Sequence, residues 1–196
     1  MTGPGPFAGR HLVLIGLRGS GKTTAGRLAA QRLNIAFADL DALVLREMGC
    51  ASVEQAWREQ GERAFRAAEA ACLARALTHK RDDVLALGGG TPMIDAARHV
   101  LQASVVAGVV VGPVYLHASF EVLAKRLEDD PGDRPPLTDR GLSADDLVAE
   151  VRGVYEKRDG VYQALAQEVV EVGGLTTDEV VDRLVEVWGS QDMISA

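Results

Sequence analysis

The residues that point first to chemistry are Gly16 through Thr24, reading GLRGSGKTT. They fit G-x-x-x-x-G-K-[ST], with Gly16, Gly21, Lys22 and Thr23 at the fixed places. Glycines let backbone N–H groups close around a phosphate without a Cβ in the way. A following helix start adds unpaired N–H groups and the positive end of its dipole. Lys22 then reaches the β- and γ-phosphates of a nucleotide, and the Thr23 hydroxyl ligates Mg²⁺. Further on, Asp39 and Asp41 stand in ADLD. On a strand, alternate residues point the same way, so both carboxylates can face the phosphate site. One can hold Mg²⁺ directly or through its waters, and the other can accept a proton from an attacking hydroxyl. A helix N-cap at Asp39 or Asp41 is the competing structural role.

These residues need a scaffold, and the pattern around them supplies one. The apolar run HLVLI at residues 11–15 reads as a strand, and residues 24–33 as the helix after the glycine loop. Residues 35–40 read as a second strand, 41–48 as a helix stopped by Gly49, and Ser52 with Gln55 as a capping box opening the next helix. Residues 62–78 form a long alanine-rich helical pattern, followed by a short buried strand at 84–87 and the triple glycine Gly88, Gly89, Gly90. A helix is expected at 95–103. Gly112-Pro113 interrupts the next strand-like run, so pairing is expected only over 114–116, with 105–112 as inserted loop or edge. Ser119 caps a helix to about 129. Residues 130–141, DPGDRPPLTDRG, are polar and rich in proline and glycine, as a mobile lid would be. A helix over 143–159, a last strand over 169–172 and a helix capped by Thr176 and Glu179 complete the chain. Strands alternating with helices imply an α/β fold: three layers around a parallel sheet of about five strands, of the phosphate-loop kinase type. Ligands of such sheets bind beyond the carboxyl ends of the strands, so the glycine loop, the aspartates and the triple glycine should share one rim.

Composition narrows the class. A chain of 196 residues is expected to be one domain, with substrate-binding helices over about 41–78 and the lid over about 130–141. The net charge of −7 argues against nucleic-acid or membrane-surface partners. Cys50 and Cys72 lack C-x-x-C spacing and read as free thiols of a reducing compartment. The opening MTGPGPFAGR does not read as a signal peptide, and a cytoplasmic monomer is expected. Neither later strand ends in the Asp that carries Mg²⁺ in many ATPases, and Asn34 is not in the N-K-x-D setting that reads guanine. A small kinase with its magnesium carboxylate on the second strand remains.

At this point the chain resembles the shikimate kinases over nearly its whole length. The family order is phosphate loop, D-x-D, G-E-x-x-F-R-x-x-E, G-G-G, R-P-x-L in a lid, and a late arginine before a tyrosine. Here these are ADLD, GERAFRAAE from Gly61 to Glu69, Gly88 to Gly90, RPPL from Arg134, and Arg158 before Tyr162. The resemblance implies ATP-dependent phosphorylation of shikimate to shikimate 3-phosphate, in the route to aromatic amino acids. It places ATP on Gly19, Ser20, Gly21, Lys22, Thr23, Thr24, Arg126 and the lid residue Arg134. It places shikimate on Asp41, Arg66, Gly88, Gly89, Gly90 and Arg158, with Arg66 and Arg158 forking its carboxylate as guanidinium groups do. Glu69, three residues after Arg66, steadies that guanidinium. Trp57 and Phe65 match positions that wall the ring of the acid, or pack the core. Lys22, Asp41 and Arg134 are the expected catalytic residues; Thr23 and Asp39 are the expected Mg²⁺ ligands. The chain departs from the pattern in RPPL for RPLL, in the extra run 105–112, and at His117, where Asp is frequent. No residue of 173–177 matches the adenine-contacting loop. The alternatives are a related kinase of gluconate or a nucleoside monophosphate, and a nucleotide-binding regulatory module without catalysis.

Overall fold

A computed structural model describes residues 9–129 and 144–190. The elements in chain order are β1 (His11–Ile15), α1 (Lys22–Leu33), β2 (Ala36–Asp39), α2 (Leu40–Met48), α3 (Val53–Gln60), α4 (Glu62–Ala76), β3 (Asp83–Ala86), α5 (Asp95–Val106), β4 (Val110–His117), α6 (Phe120–Asp129), α7 (Ala144–Leu165), β5 (Glu168–Glu171) and α8 (Thr177–Ser190). All pairings are parallel, in the order β2-β3-β1-β4-β5. Every residue of β1 is buried, as a central strand covered on both faces requires.

The order dictates the layers. From β1 the chain moves outward past β3 to β2; from β2 onward every crossover runs the other way across the sheet. Right-handed crossovers therefore put α1 on one face and α4, α5 and α7 on the other. The contacts agree: α1 packs on α8, while α4 packs on α5 and on the α2–α3 pair. The core lies between these layers and the sheet, with Leu12, Leu14, Ile15, Leu85, Leu116 and Tyr115 at most 1% exposed. No helix among the described residues is long and apolar enough to cross a membrane.

Three expectations need correction. Residues 105–112 are neither one extra loop nor an edge extension: α5 continues to Val106, and β4 starts at Val110 in the interior of the sheet. Pairing is also not confined to 114–116. His11 and Leu12 pair with Val110 and Val111, then Leu14 pairs with Val114, so one extra residue on β4 is absorbed in a bulge at Gly112-Pro113. A bulge leaves a residue outside the ladder, and Pro113, which has no N–H to donate, occupies it at little cost. Its carbonyl still accepts from the Gln167 N–H at 2.9 Å. Finally, α7 does not stop at Asp159. Gly160 lies inside it and the helix runs on to Leu165. A helix-interior glycine costs only about 1 kcal/mol, and this turn buries Tyr162 completely.

Candidate active site

The glycine loop joins β1 to α1, and its lysine is already inside α1. The Lys22 ammonium crosses back over the loop and donates to the carbonyls of Gly16 at 2.8 Å and Leu17 at 2.9 Å. The next side chain, Thr23, donates from its hydroxyl to Asp39 Oδ2 at 2.9 Å. Asp39 closes β2 and caps α2, its Oδ1 accepting the backbone N–H groups of Asp41 at 3.0 Å and Ala42 at 3.4 Å. The cap and the Thr23 contact thus fall on different oxygens of one carboxylate. Asp41 does not share a strand with Asp39, as the alternation argument assumed. It sits in the first turn of α2, buried, its carboxylate directed to the glycines after β3. The reason is local: a capped helix begins at Leu40, so the period changes between the two aspartates.

A cavity of about 280 Å³ opens beside the loop, walled by Asp41, Trp57, Phe65, Arg66, Glu69 and Arg158, with Gly88, Gly89 and Gly90 along its floor. Two of the three glycines sit where a side chain would crowd the site. A Cβ on Gly88 would stand 2.3 Å from Asp41 Oδ1 and 3.0 Å from Glu69 Oε1; one on Gly90 would meet the Arg66 guanidinium. Arg66 projects from α4. It donates from Nη1 to Glu69 Oε2 at 2.7 Å and from Nη2 to Glu62 at 3.2 Å, and its guanidinium lies 5.4 Å from the Trp57 ring centre. Trp57 and Phe65 meet edge to face, so the wall and core roles coincide in them.

Across the cavity Arg158 comes from α7. Its Nη1 donates to the Gly89 carbonyl at 2.8 Å, and the Tyr162 hydroxyl donates to the same oxygen. Burial pushes the Tyr162 phenol up to about 12, although the neighbouring Arg158 charge pulls it down, so the hydroxyl keeps its proton. Below it, Tyr115 donates to Asp159 at 2.9 Å and stacks edge to face on Tyr162. His117, where an aspartate was the commoner expectation, has a polar role of its own. Its ring nitrogens lie 2.8 Å from the Tyr155 hydroxyl and 2.6 Å from Glu171, fastening α7 to the ends of β4 and β5.

On the other side of the loop a second cavity, about 250 Å³, is walled by Gly19, Ser20, Gly21, Thr24, Arg126 and Leu175. Arg126 donates to the carbonyls of Gly19 at 3.2 Å and Val172 at 2.8 Å, joining the loop to the end of β5. The late loop thus does contribute a wall, through Leu175 and Thr177, which no motif match signalled. Arg134 and the expected lid lie outside the described residues.

Sequence reasoning missed other contributors to the first cavity. Arg18, Val53 and Val154 line it, and Thr91 holds Glu69 from behind. Apolar residues on helices give no signal that separates a cavity wall from core.

The chain matches the family profile described as shikimate kinase over residues 18–188. The chain belongs to the shikimate kinase family. A shikimate kinase of Pseudomonas entomophila is 38% identical over 176 residues, covering 90% of this chain and 91% of that one. One from Synechococcus sp. strain RCC307 is 33% identical over 178 residues, 91% and 84% of the two chains. Among solved structures, the Acinetobacter baumannii shikimate kinase in complex with shikimate superposes with a TM-score of 0.78 at 26% identity, covering 94% and 95%. Family membership agrees with the sheet order and with a loop flanked by two cavities.

Proposed function

We propose that this chain transfers the γ-phosphoryl group of ATP to shikimate, giving shikimate 3-phosphate and ADP. The observation that carries the reading is the pair of guanidinium groups, Arg66 and Arg158, brought from separate helices to one small cavity that adjoins the phosphate loop. A cyclic acid with three hydroxyls needs that arrangement: a cationic fork for its carboxylate and a carboxylate, Asp41, for its hydroxyls. The nucleotide lies over residues 19–24, with its base toward Arg126 and Leu175.

Asp41 takes the proton of the attacking hydroxyl as its oxygen bonds to phosphorus and ADP leaves. Lys22 leaves the loop carbonyls for the β- and γ-phosphate oxygens, and Arg134 is the second cation assigned to that charge. The Thr23 hydroxyl and Asp39 carboxylate, 2.9 Å apart, are hard oxygen donors that fit Mg²⁺, which keeps waters and takes few protein ligands. When bound, Mg²⁺ supplies charge compensation for the phosphate oxygens. Gly89 and Gly90 present backbone to the acid.

The direct test is ADP release with shikimate, gluconate and nucleoside monophosphates in parallel, each with Mg²⁺ and with chelator. Turnover with shikimate alone, lost in chelator, is expected. Faster turnover with gluconate or a nucleotide overturns the substrate; activity in chelator overturns the metal assignment.

The floor of the acid cavity gives a second expectation. Tyr162→Phe removes one of two donors to the Gly89 carbonyl without changing shape. A net hydrogen bond of this kind is worth about 1 kcal/mol, so the shikimate KM should rise about fivefold with ATP KM little affected. Steady-state kinetics in both substrates checks it, and an unmoved shikimate KM would show that Arg158 holds Gly89 alone.

A further inference from the structure

We infer that Thr91 is a positioning residue of the acid clamp, fixing Arg66 through Glu69. The inference rests on the reading that Arg66 holds the carboxylate of the substrate.

Thr91 opens a short 3₁₀ turn directly after the triple glycine, its backbone N–H bonded to the Gly88 carbonyl at 3.0 Å. It is fully buried, as is Glu69 at 1% exposure. The Thr91 hydroxyl donates to Glu69 Oε1 at 2.6 Å, and Arg66 donates to Glu69 Oε2 at 2.7 Å. The Glu69 carboxylate is therefore held at both ends, by a hydroxyl on the floor and a guanidinium on the wall.

The consequence lies in the orientation of Arg66. A carboxylate with one fixed end turns about its terminal torsion, because such sp³–sp² torsions are broad. Glu62, the other partner of Arg66, is exposed and its side chain is free to move in solvent. Among the described residues, the Thr91–Glu69 contact is the hydrogen-bonded tie between the guanidinium and the floor, where the acid must also lie and against which the guanidinium packs at Gly90. Without the hydroxyl, Glu69 Oε1 is left buried and short of a donor, and turns to recover one. Arg66 follows it, and the fork no longer faces the substrate carboxylate in a fixed plane. A loss of this kind acts on binding of the acid. It does not touch the loop, Lys22 or the nucleotide cavity.

The test is steady-state kinetics of the full chain in both substrates for Thr91→Val, Thr91→Ser, Arg66→Ala and the Arg66→Ala/Thr91→Val double variant. Valine keeps the shape and removes the hydroxyl; serine keeps the hydroxyl. Thr91→Val should raise the shikimate KM about tenfold, as expected for a buried charged acceptor left unpaired. The ATP KM should stay near the parental value, and Thr91→Ser should recover the shikimate KM. In the Arg66→Ala background the valine change should add nothing further, because the two act in one chain of contacts. If Arg66→Ala raises the shikimate KM but Thr91→Val does not, or if the two effects multiply, Thr91 only packs the floor and the inference fails while the clamp stands. If neither variant moves the shikimate KM, the clamp reading itself fails and takes the inference with it. Should the valine variant not fold, Thr91→Ala against Thr91→Ser makes the same comparison.

Discussion

Asp41→Asn is expected to lower kcat about 10³-fold, the loss typical of a removed general base. ATP affinity and the fold should be retained. The substitution is close to isosteric, which matters here because the carboxylate is buried against the triple glycine and a larger side chain would not fit. The start of α2 does not depend on the Asp41 side chain: Asp39 caps it through the Asp41 backbone N–H. The metal-side contact between Thr23 and Asp39 is also untouched. The amide therefore subtracts proton acceptance and one negative charge while keeping the shape of the side chain. ADP release at saturating shikimate and ATP gives kcat; titration of nucleotide binding and circular dichroism give the controls. A variant turning over within about tenfold of the parent removes Asp41 as base, because positioning would then account for the rate on its own.

What the sequence shows of this site follows the range of the contacts. The phosphate loop is legible because its chemistry needs fixed spacing within nine residues, and those residues stand next to one another in the chain. The two aspartates are legible as carboxylates, but their geometry is not. Whether Asp41 belongs to a strand or a helix depends on where the Asp39 cap falls, and local patterns place element ends only to within a few residues. Arg66 and Glu69 can be paired on paper because one helical turn separates them. Arg158 with Gly89, Tyr162 with Gly89, and Thr91 with Glu69 cannot, since the partners stand 69, 73 and 22 positions apart.

The fold shows the same division. Alternating strands and helices imply a parallel sheet, and the sheet is parallel. Its errors arise at proline and glycine, read as breaks. Gly112-Pro113 sits in an interior strand because a bulge removes the need for the missing donor. Gly160 sits inside α7 because burying Tyr162 outweighs a modest helix penalty. In both places tertiary packing decides against the local preference, and both flank the active site, β4 feeding His117 and α7 feeding Arg158.

Arg66→Ala should raise the shikimate KM about 10²-fold, the worth of roughly 2.7 kcal/mol of charge-assisted hydrogen bonding to a carboxylate. The ATP KM should change little, since Arg66 lies in the acid cavity and not in the nucleotide cavity. One complication has to be separated from the clamp. Removing the arginine leaves Glu69, 1% exposed, as a buried carboxylate whose one remaining hydrogen-bond partner among the described residues is the Thr91 hydroxyl. That alone costs on the order of 2–3 kcal/mol of stability, the low end for a broken buried pair because the Arg66 side chain is itself 26% exposed. A loosened cavity could raise KM without any clamp. The double variant Arg66→Ala/Glu69→Gln distinguishes the two causes. Neutralising Glu69 relieves the unpaired charge, so the melting temperature should return most of the way to the parental value. The shikimate KM should not return, because no guanidinium has been restored. Arg66→Lys completes the set: it keeps a cation beside Glu69 but presents a point charge in place of a planar fork, and an intermediate KM is expected. Recovery of KM along with melting temperature in the double variant would mean that Arg66 serves Glu69, with the acid carboxylate held by Arg158 or by another cation of the cavity such as Arg18.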